Sequence, residues 1–431
     1  MTEIRKSQID AREPLFFLSA GDPSGDAHAA RLVEALERRL PNSRFLAFAG
    51  SKTAATNCDV RFDLTKFAVM MLTRAILNLR RYLGALKLAD KIFDTERPDA
   101  VILVDFPGFN WKIAQKAKKR GIPVVYFMPP QIWGWGQWRV KKMRKYVDLI
   151  LSCFAFEDDW FREQGCNSLL IGHPFFEESR SRSVDSAFIS SLQSDRPNER
   201  ILTLLPGSRD QEVANNLDSL INVAAKVQGA TRNIRPIFAA FREEHANIIR
   251  ERLAQRQFDY EIYVGKTPEL MRAATCCLGV SGSVSIELLS LCKPTVILYR
   301  TTKLEYRALR FLKRVKYITL TNLLAVHRLP GESPFYPKGF LPKSTEHTQR
   351  ERSLMVFPEF LDYRDRSDEA ASVLTEWLQD DATLSHKIDE LRELRTAVDV
   401  EDRPIERAAD IIASNMFANA PLSSINVDSC K

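Results

Sequence analysis

The sequence predicts an α/β protein built from two successive doubly wound, Rossmann-like domains that face a cleft. Three observations carry this expectation. Short apolar runs alternate with helical patterns along the chain, as in PLFFLSAG at 14–21, RFLAFAG at 44–50 and DAVILVD at 99–105. These runs are apolar throughout rather than at every second position, which marks a parallel sheet covered by helices on both faces. The series also breaks at a polar stretch and then restarts with RILTLL at 200–205.

The elements follow in order. After the first run comes a helical pattern over 27–40, with Leu32, Val33, Leu36 and Leu40 on one face. Residues 44–50 predict a strand, 67–93 a helix, 99–105 a buried strand ending on an aspartate, and 111–120 a helix. IPVVYFM at 122–128 and VDLILSC at 147–153 predict two more strands. The polar stretch at 175–198 reads as a linker or boundary. The second series runs as strand 200–205, helix 210–228, strand 235–240, helix 243–256, strand 260–264, helix 268–274, strand 276–280, helix 283–291 and strand 294–299. Residues 327–353 carry four prolines and no period, so 328–353 reads as an inserted loop. Helices resume at 368–380, 383–397 and 404–418, and the polar tail from Ala420 is expected to fray. The predicted domains are therefore 1–180 and 195–400, with the 404–418 helix packing back on the first. Ligands of such sheets bind at the carboxyl ends of the strands, near the point where strand order reverses.

Composition narrows the function classes. The chain has 431 residues, 45% hydrophobic and 27% charged, which is ordinary for a globular protein with large cores. Collagen-like, coiled-coil, wholly disordered and small disulfide-scaffold classes are excluded. Lys and Arg number 62 against 55 Asp and Glu, a net charge of +7 that points to an anionic partner: nucleotide, phospholipid or nucleic acid. The seven cysteines are odd in number, and no pair has zinc or redox spacing, so they read as reduced thiols of a cytosolic protein. MTEIRKSQIDAREP holds no apolar stretch of the signal-peptide kind. No apolar run reaches the ~18 residues that a membrane-spanning helix needs. The few histidines are scattered and no DxD motif stands out, so neither a metal nor another cofactor is expected.

Five segments can carry chemistry. GDPSGD at 21–26 follows a strand and opens a helix. Gly21 and Gly25 permit tight turns, Ser24 can cap the helix, and the N–H groups can hold an anion or a sugar hydroxyl. A turn needs at most one Asp as a cap, so Asp22 and Asp26 together suggest function. Asp105 ends a buried strand, where desolvation would raise its pKa and suit it to act as a general base; capping the next helix is the plainer role. PQIWGWGQWRVKKMRK at 130–145 offers Trp133 and Trp135 as stacking faces and a basic run that is either a solvated helix face or a membrane- or phosphate-facing one. LLPGSR at 204–209 places Ser208 and Arg209 at a strand end, where a guanidinium can grip a pyrophosphate bidentately. VSGSVSIE at 280–287 puts Ser281, Gly282 and Ser283 at a helix start and Glu287 one turn in, within reach of ribose hydroxyls.

Taken together, the chain resembles the bacterial lipid-A-disaccharide synthase family (glycosyltransferase family 19, an inverting GT-B type). The family's GEASGD stands here as GDPSGD at 21–26. Its FD…VMG stands as FDLTKFAVMML at 62–72, its IDAPDFN or IDYPGFN as VDFPGFN at 104–110, and its VWAWR..RV as IWGWGQWRV at 132–140. IGHPFFE at 171–177 carries the GH element, LLPGSR is unchanged, and ASGTAALE is VSGSVSIE. The stretch YRTTKLEYRALRFLKRVKYITLTNLLAV at 299–326 and FPEFLD at 357–362 complete the series, so the resemblance spans about 14–418. Departures are Asp22 for Glu, Gly136 for Arg or Lys, Thr321 for Pro, Val326 for Gly and Asp362 for Gln, plus the extra loop.

The resemblance implies transfer of 2,3-diacylglucosamine from its UDP derivative to 2,3-diacylglucosamine 1-phosphate (lipid X). It implies Asp105 as base, Asp22 and Asp26 orienting the acceptor, Arg209 and the 281–283 helix start stabilising UDP, and Glu287 and Asn322 touching it. Peripheral attachment to the anionic inner-membrane surface on the cytoplasmic side follows from acylated substrates, with a homodimer allowed and no nucleic acid. Phe67, Val69, Met70, Met71, Leu72, Ile76 and Leu77, among Lys66, Arg74, Arg80 and Arg81, suit an interfacial helix or a core helix. The rival readings are another GT-B UDP-GlcNAc transferase or epimerase, and a nonenzymatic basic protein on nucleic acid or membrane.

Overall fold

A computed structural model describes residues 13–66, 79–280, 284–337, 346–399 and 401–417. The chain forms two compact units, 1–174 with 401–431 and 175–400. The first holds strands β1 (Leu15–Ala20), β2 (Arg44–Ala49), β3 (Cys58–Asp63), β4 (Ala100–Val104), β5 (Val124–Phe127), β6 (Leu149–Ser152) and β7 (Ser168–Leu170). Its helices are α1 (Pro23–Arg39), α2 (Ser51–Ala54), α3 (Leu79–Thr95), α4 (Pro107–Lys119), α5 (Val140–Tyr146) and α6 (Ala155–Glu163). The strands make one parallel sheet of order β3-β2-β1-β4-β5-β6-β7. Strand order reverses between β1 and β4, where Ala20 pairs with Val104. β1 and β4 are buried along their whole length, which is why they read as unbroken apolar runs.

The second unit begins with α7 (Pro174–Ser181) and α8 (Ser186–Asp195). The expected linker at 175–198 is thus mostly helical. Its polarity misled the reading, because α8 buries little beyond Leu192 and starts on Asp185, whose carboxylate accepts from the Phe188 N–H at 3.0 Å. The sheet then comprises β8 (Arg200–Leu205), β9 (Ile234–Ala240), β10 (Glu261–Val264), β11 (Cys276–Gly279), β12 (Thr295–Arg300) and β13 (Glu359–Asp362). All pairs are parallel in the order β10-β9-β8-β11-β12-β13, and order reverses between β8 and β11, where Leu205 pairs with Gly279. The helices are α9 (Asp210–Ala230), α10 (Glu243–Leu253), α11 (Thr267–Ala273), α12 (Val284–Ser290), α13 (Lys303–Leu312), α14 (Leu320–His327), α15 (Gln349–Ser353), α16 (Ser367–Gln379) and α17 (Asp381–Val398).

The segment expected as an inserted loop is partly ordered. Phe335 bridges to Val315, and α15 opens on a capping box between Thr348 and Glu351. Residues 338–345 lie outside the described residues, as does the candidate interfacial segment at 67–77. The last helix, α18 (Pro404–Phe417), belongs to the first unit. Ile405, Ala408, Ala409 and Ile412 join the core that includes Leu32, Val33 and Leu36 of α1. Arg38 and Arg39 at the end of α1 pair with Glu406, and Arg39 also with Asp410.

Candidate active site

At the reversal point of the first sheet, β1 runs into Gly21-Asp22 and β4 into Asp105-Phe106. The helix starts two residues earlier than a Ser24 cap would place it: Pro23 is the first helical residue, Asp22 holds the N-cap position, and Ser24 lies exposed in the first turn. Gly21 is required by packing. A Cβ there would come within 2.2 Å of the Phe106 ring. Gly25 sits inside α1 with ordinary spacing of 3.6 Å to the Val104 side chain, so it is a helix residue and not part of a turn.

Asp105 and Phe106 are consecutive non-glycine residues in the left-handed region, with φ of 41° and 44°. Met128, just past β5, has φ of 55°, and its carbonyl accepts from the Asp105 N–H at 3.3 Å. Left-handed backbone of this kind costs about 1–3 kcal/mol per residue and gathers at functional sites. The Asp105 carboxyl is pushed up to about 6, chiefly by burial and then by the nearby charge of Asp22, against a hydrogen bond from the Phe106 backbone. A carboxylate so tuned is a stronger base than an exposed one.

Asp26 departs from its expected role of orienting an acceptor. It is buried and accepts from the N–H groups of Gly50, Lys52 and Thr53 and from the Thr53 hydroxyl, at 2.6–3.2 Å. Four donors occupy its two oxygens, so it ties the start of α2 to α1. Trp133 also departs from expectation. It is 2% exposed, donates its Nε1–H to Glu157 at 2.9 Å and meets Phe156 edge-on, so neither face is open for stacking. Trp135, by contrast, is 54% exposed, with the Arg139 guanidinium 4.7 Å from its ring centroid, and Trp138 is 63% exposed beside the same guanidinium. Sequence reasoning passed over Glu157. Burial pushes it up to about 7, and it braces the 130–136 segment through Trp133 and the Cys153 N–H. Its only sequence signal was an acid among aromatics.

At the reversal point of the second sheet, Pro206-Gly207-Ser208-Arg209 connects β8 to α9. Gly207 has φ of 109°, and a Cβ there would lie 2.8 Å from the Glu212 carboxylate, so only glycine fits. Ser208 is exposed. The Arg209 side chain is 81% exposed and bonds Glu212 at 2.8 Å. Ser281, Gly282 and Ser283 lie outside the described residues. Glu287, one turn into α12, is raised by burial and paired to Arg182 at 2.7 Å. Arg182 was not among the expected site residues, having been read as part of the polar stretch.

Asn322 does not fit a nucleotide contact. Its Nδ2 donates to the Phe357 carbonyl and to Glu359 at 2.7 and 3.0 Å, and its Oδ1 accepts from the Val356 and Phe357 N–H groups. That fills its hydrogen-bonding capacity in the core. Thr321, which replaces the family's Pro, is buried and donates to the Ser285 carbonyl at 2.9 Å. Asp362 receives Arg364 and Arg366. Among the described residues no group of three or more His, Cys, Asp or Glu side chains is placed to hold a metal, and no helix is long and apolar enough to cross a membrane.

Two parallel sheets with glycine turns at both reversal points, acids on one and a guanidinium on the other, define a two-domain GT-B fold. Known structures agree on the fold. A putative UDP-N-acetylglucosamine 2-epimerase from Listeria monocytogenes aligns with 95% of this chain and 98% of its own, at TM-score 0.58 and 10% identity. A UDP-GlcNAc 2-epimerase from Neisseria meningitidis, solved bound to UDP-GlcNAc, aligns over 95% of this chain and all of its own at TM-score 0.53 and 12% identity. Sequence then separates this chain within the fold. Residues 16–337 match the family model of lipid-A-disaccharide synthetase. The lipid-A-disaccharide synthase of Myxococcus xanthus is 32% identical over 74% of this chain and 83% of its own length. The chain belongs to the lipid-A-disaccharide synthetase family and is a glycosyltransferase.

Proposed function

We propose that the chain transfers 2,3-diacylglucosamine from UDP-2,3-diacylglucosamine to lipid X by direct displacement with inversion, using Asp105 as the general base. The acceptor 6-hydroxyl loses its proton to the Asp105 carboxylate as its oxygen attacks the anomeric carbon. The anomeric C–O bond to UDP breaks, and UDP leaves with the electron pair. The observation that carries this reading is the setting of Asp105. It stands at a parallel-sheet reversal point, on strained backbone, with a carboxyl pushed up to about 6 beside Asp22. Asp22 raises the basicity of Asp105 through its charge and is assigned to orient the acceptor. Asp26 and Asn322 act as scaffold.

Nucleotide binding is assigned to the second unit. Arg209 is exposed at the N-cap of α9, just past β8, and is paired i,i+3 to Glu212, which a diphosphate can replace as its partner. A guanidinium and backbone N–H groups then offset the charge developing on UDP, and no metal is required of this scheme. Both substrates are acylated, so the enzyme works peripherally at the cytoplasmic face of the inner membrane. The net charge of +7 and the exposed Trp135 and Trp138 around Arg139 suit an anionic bilayer surface.

One experiment tests the reaction. Pure protein is incubated with lipid X and either UDP-2,3-diacylglucosamine or UDP-GlcNAc, and products are read by mass. A disaccharide 1-phosphate from the acylated donor alone is expected. Turnover of UDP-GlcNAc alone, or its epimerisation, would replace this reading with that of the epimerases that share the fold.

A further inference from the structure

Sequence preference alone does not hold the backbone at Asp105, since Asp visits the left-handed region only occasionally and Phe rarely. Neither Asp105 nor Phe106 is glycine, yet both are left-handed. Something must over-determine the turn. Two side chains converge on one atom there, the Asp105 carbonyl oxygen. The Tyr126 hydroxyl donates to it at 2.7 Å from β5, and the Asn110 Nδ2 at 2.8 Å from the first turn of α4. Both side chains are buried, and burial among acids keeps the Tyr126 phenol protonated, hence a lasting donor. Asn110 is itself fixed, because its Oδ1 accepts from the Ser19 hydroxyl of β1 at 2.6 Å. The clamp thus joins β1, β4 and β5 at their carboxyl ends.

We infer that Asn110 and Tyr126 are positioning residues, which lock the Asp105–Phe106 peptide in its left-handed turn and so aim the Asp105 carboxyl at the acceptor. An ordinary helix cap would not reach that carbonyl, because caps at a helix start satisfy N–H donors and Asp105 precedes the N-cap residue Phe106. Here two buried donors meet on a single oxygen of the residue that bears the acid, and the same Asn110 Nδ2 also reaches the Ser19 and Val104 carbonyls at 3.2 Å. The inference rests on the reading of Asp105 as the base.

Tyr126→Phe removes one donor without changing the ring. It should lower kcat about 5- to 10-fold, as expected for one hydrogen bond to a buried acceptor, while KM for both substrates and UDP affinity stay within twofold. Asn110→Asp keeps the acceptor for Ser19, removes both N–H donors and should cost about 10²-fold in kcat. Should Asn110→Asp fail to fold, Tyr126→Phe carries the test alone. The decisive measurement is a cycle. In an Asp105→Asn background, Tyr126→Phe should leave the residual turnover unchanged, because a positioning residue acts only through the group it aims. Equal losses of kcat in both backgrounds, or no loss in either, would overturn the inference. If Asp105→Asn alone keeps normal turnover, the base assignment has failed first, and the inference falls with it.

Discussion

The two reversal points are built on the same plan and prepared in opposite ways. In the first unit the chain leaves β4 through two strained non-glycine residues, held by buried hydrogen bonds from Asn110 and Tyr126. In the second it leaves β8 through Gly207, which adopts its φ of 109° without steric penalty. The first presents an acid whose charge is made unfavourable by burial. The second presents an exposed guanidinium already resting on Glu212, with Glu287 likewise resting on Arg182. The difference separates two tasks. A proton-accepting group gains from fixed geometry and desolvation before substrate arrives. An anion-binding group gains from a weak internal partner that a diphosphate can displace.

The sharpest way to break the comparison is at Asp105. Asp105→Asn is nearly isosteric and should lower turnover ~10²–10⁴-fold with UDP binding retained, as for loss of a general base. The acidic limb of kcat/KM, centred near 6 in the wild type, should vanish with it. Stability should move the other way. The folded carboxyl titrates above its ordinary 3.8, so its ionised form is disfavoured in the folded state. Wild-type stability therefore declines as pH rises from about 4 through about 6, and the Asn variant lacks this decline. At pH 8 the variant should be more stable by roughly 1–3 kcal/mol in denaturant melts, with near equality at pH 4. A variant that loses stability at pH 8 would remove desolvation as the source of the basicity. Retained turnover, with loss in Asp22→Asn instead, would move the base to the glycine turn.

The second test lies in the other unit. Arg209→Ala should lower kcat/KM about 10²-fold, with weaker UDP binding by calorimetry, as when a single electrostatic donor is removed. Folding should be unaffected, because the exposed pair that is lost contributes about 0.2–1 kcal/mol. Unchanged UDP affinity would mean that the second reversal point is not prepared for an anion at all.

How much of this was legible in the sequence differs between the units for physical reasons. Fully buried parallel strands write themselves as apolar runs, so β1, β4, β8 and β12 stand out. β3, β7 and β13 do not, since Asp59, Arg61 and Asp63 break up the first, Ser168 opens the three-residue second, and Glu359 and Asp362 bound the last, leaving no apolar run. The α7–α8 region was hidden by its polarity, because α8 buries so little. At the site, Asp105 and Arg209 could be singled out because chain position alone places them at or just past strand ends. The saturation of Asp26 and Asn322 could not, because donors from Gly50, Lys52, Thr53, Val356 and Phe357 meet them only after folding. Nor could Trp133 be told from Trp135. They are two residues apart in one loop, and only packing decides that one is buried on Glu157 and the other faces out.

The smallest expected effect sharpens the comparison most finely, because it concerns the guanidinium's resting partner. Glu212 holds Arg209 at 2.8 Å from within the first turn of α9, and its side chain also closes over Gly207. If the pair is a placeholder, breaking it should help the nucleotide. Glu212→Gln removes the charge and keeps the shape, so the Gly207 turn survives and Arg209 no longer has to leave an anion before meeting one. An exposed ion pair contributes about 0.2–1 kcal/mol, which bounds the gain in UDP affinity at about 1.4- to 5-fold. The gain should shrink as salt is raised, because screening already weakens the resting pair in the wild type. No comparable gain can be had in the first unit, where the donors to Asp105 hold its backbone and do not compete with substrate. Titration of UDP into the variant at low and high salt measures this directly. Weaker binding in Glu212→Gln would show that Glu212 aims Arg209, and the second reversal point would then be pre-set much as the first is.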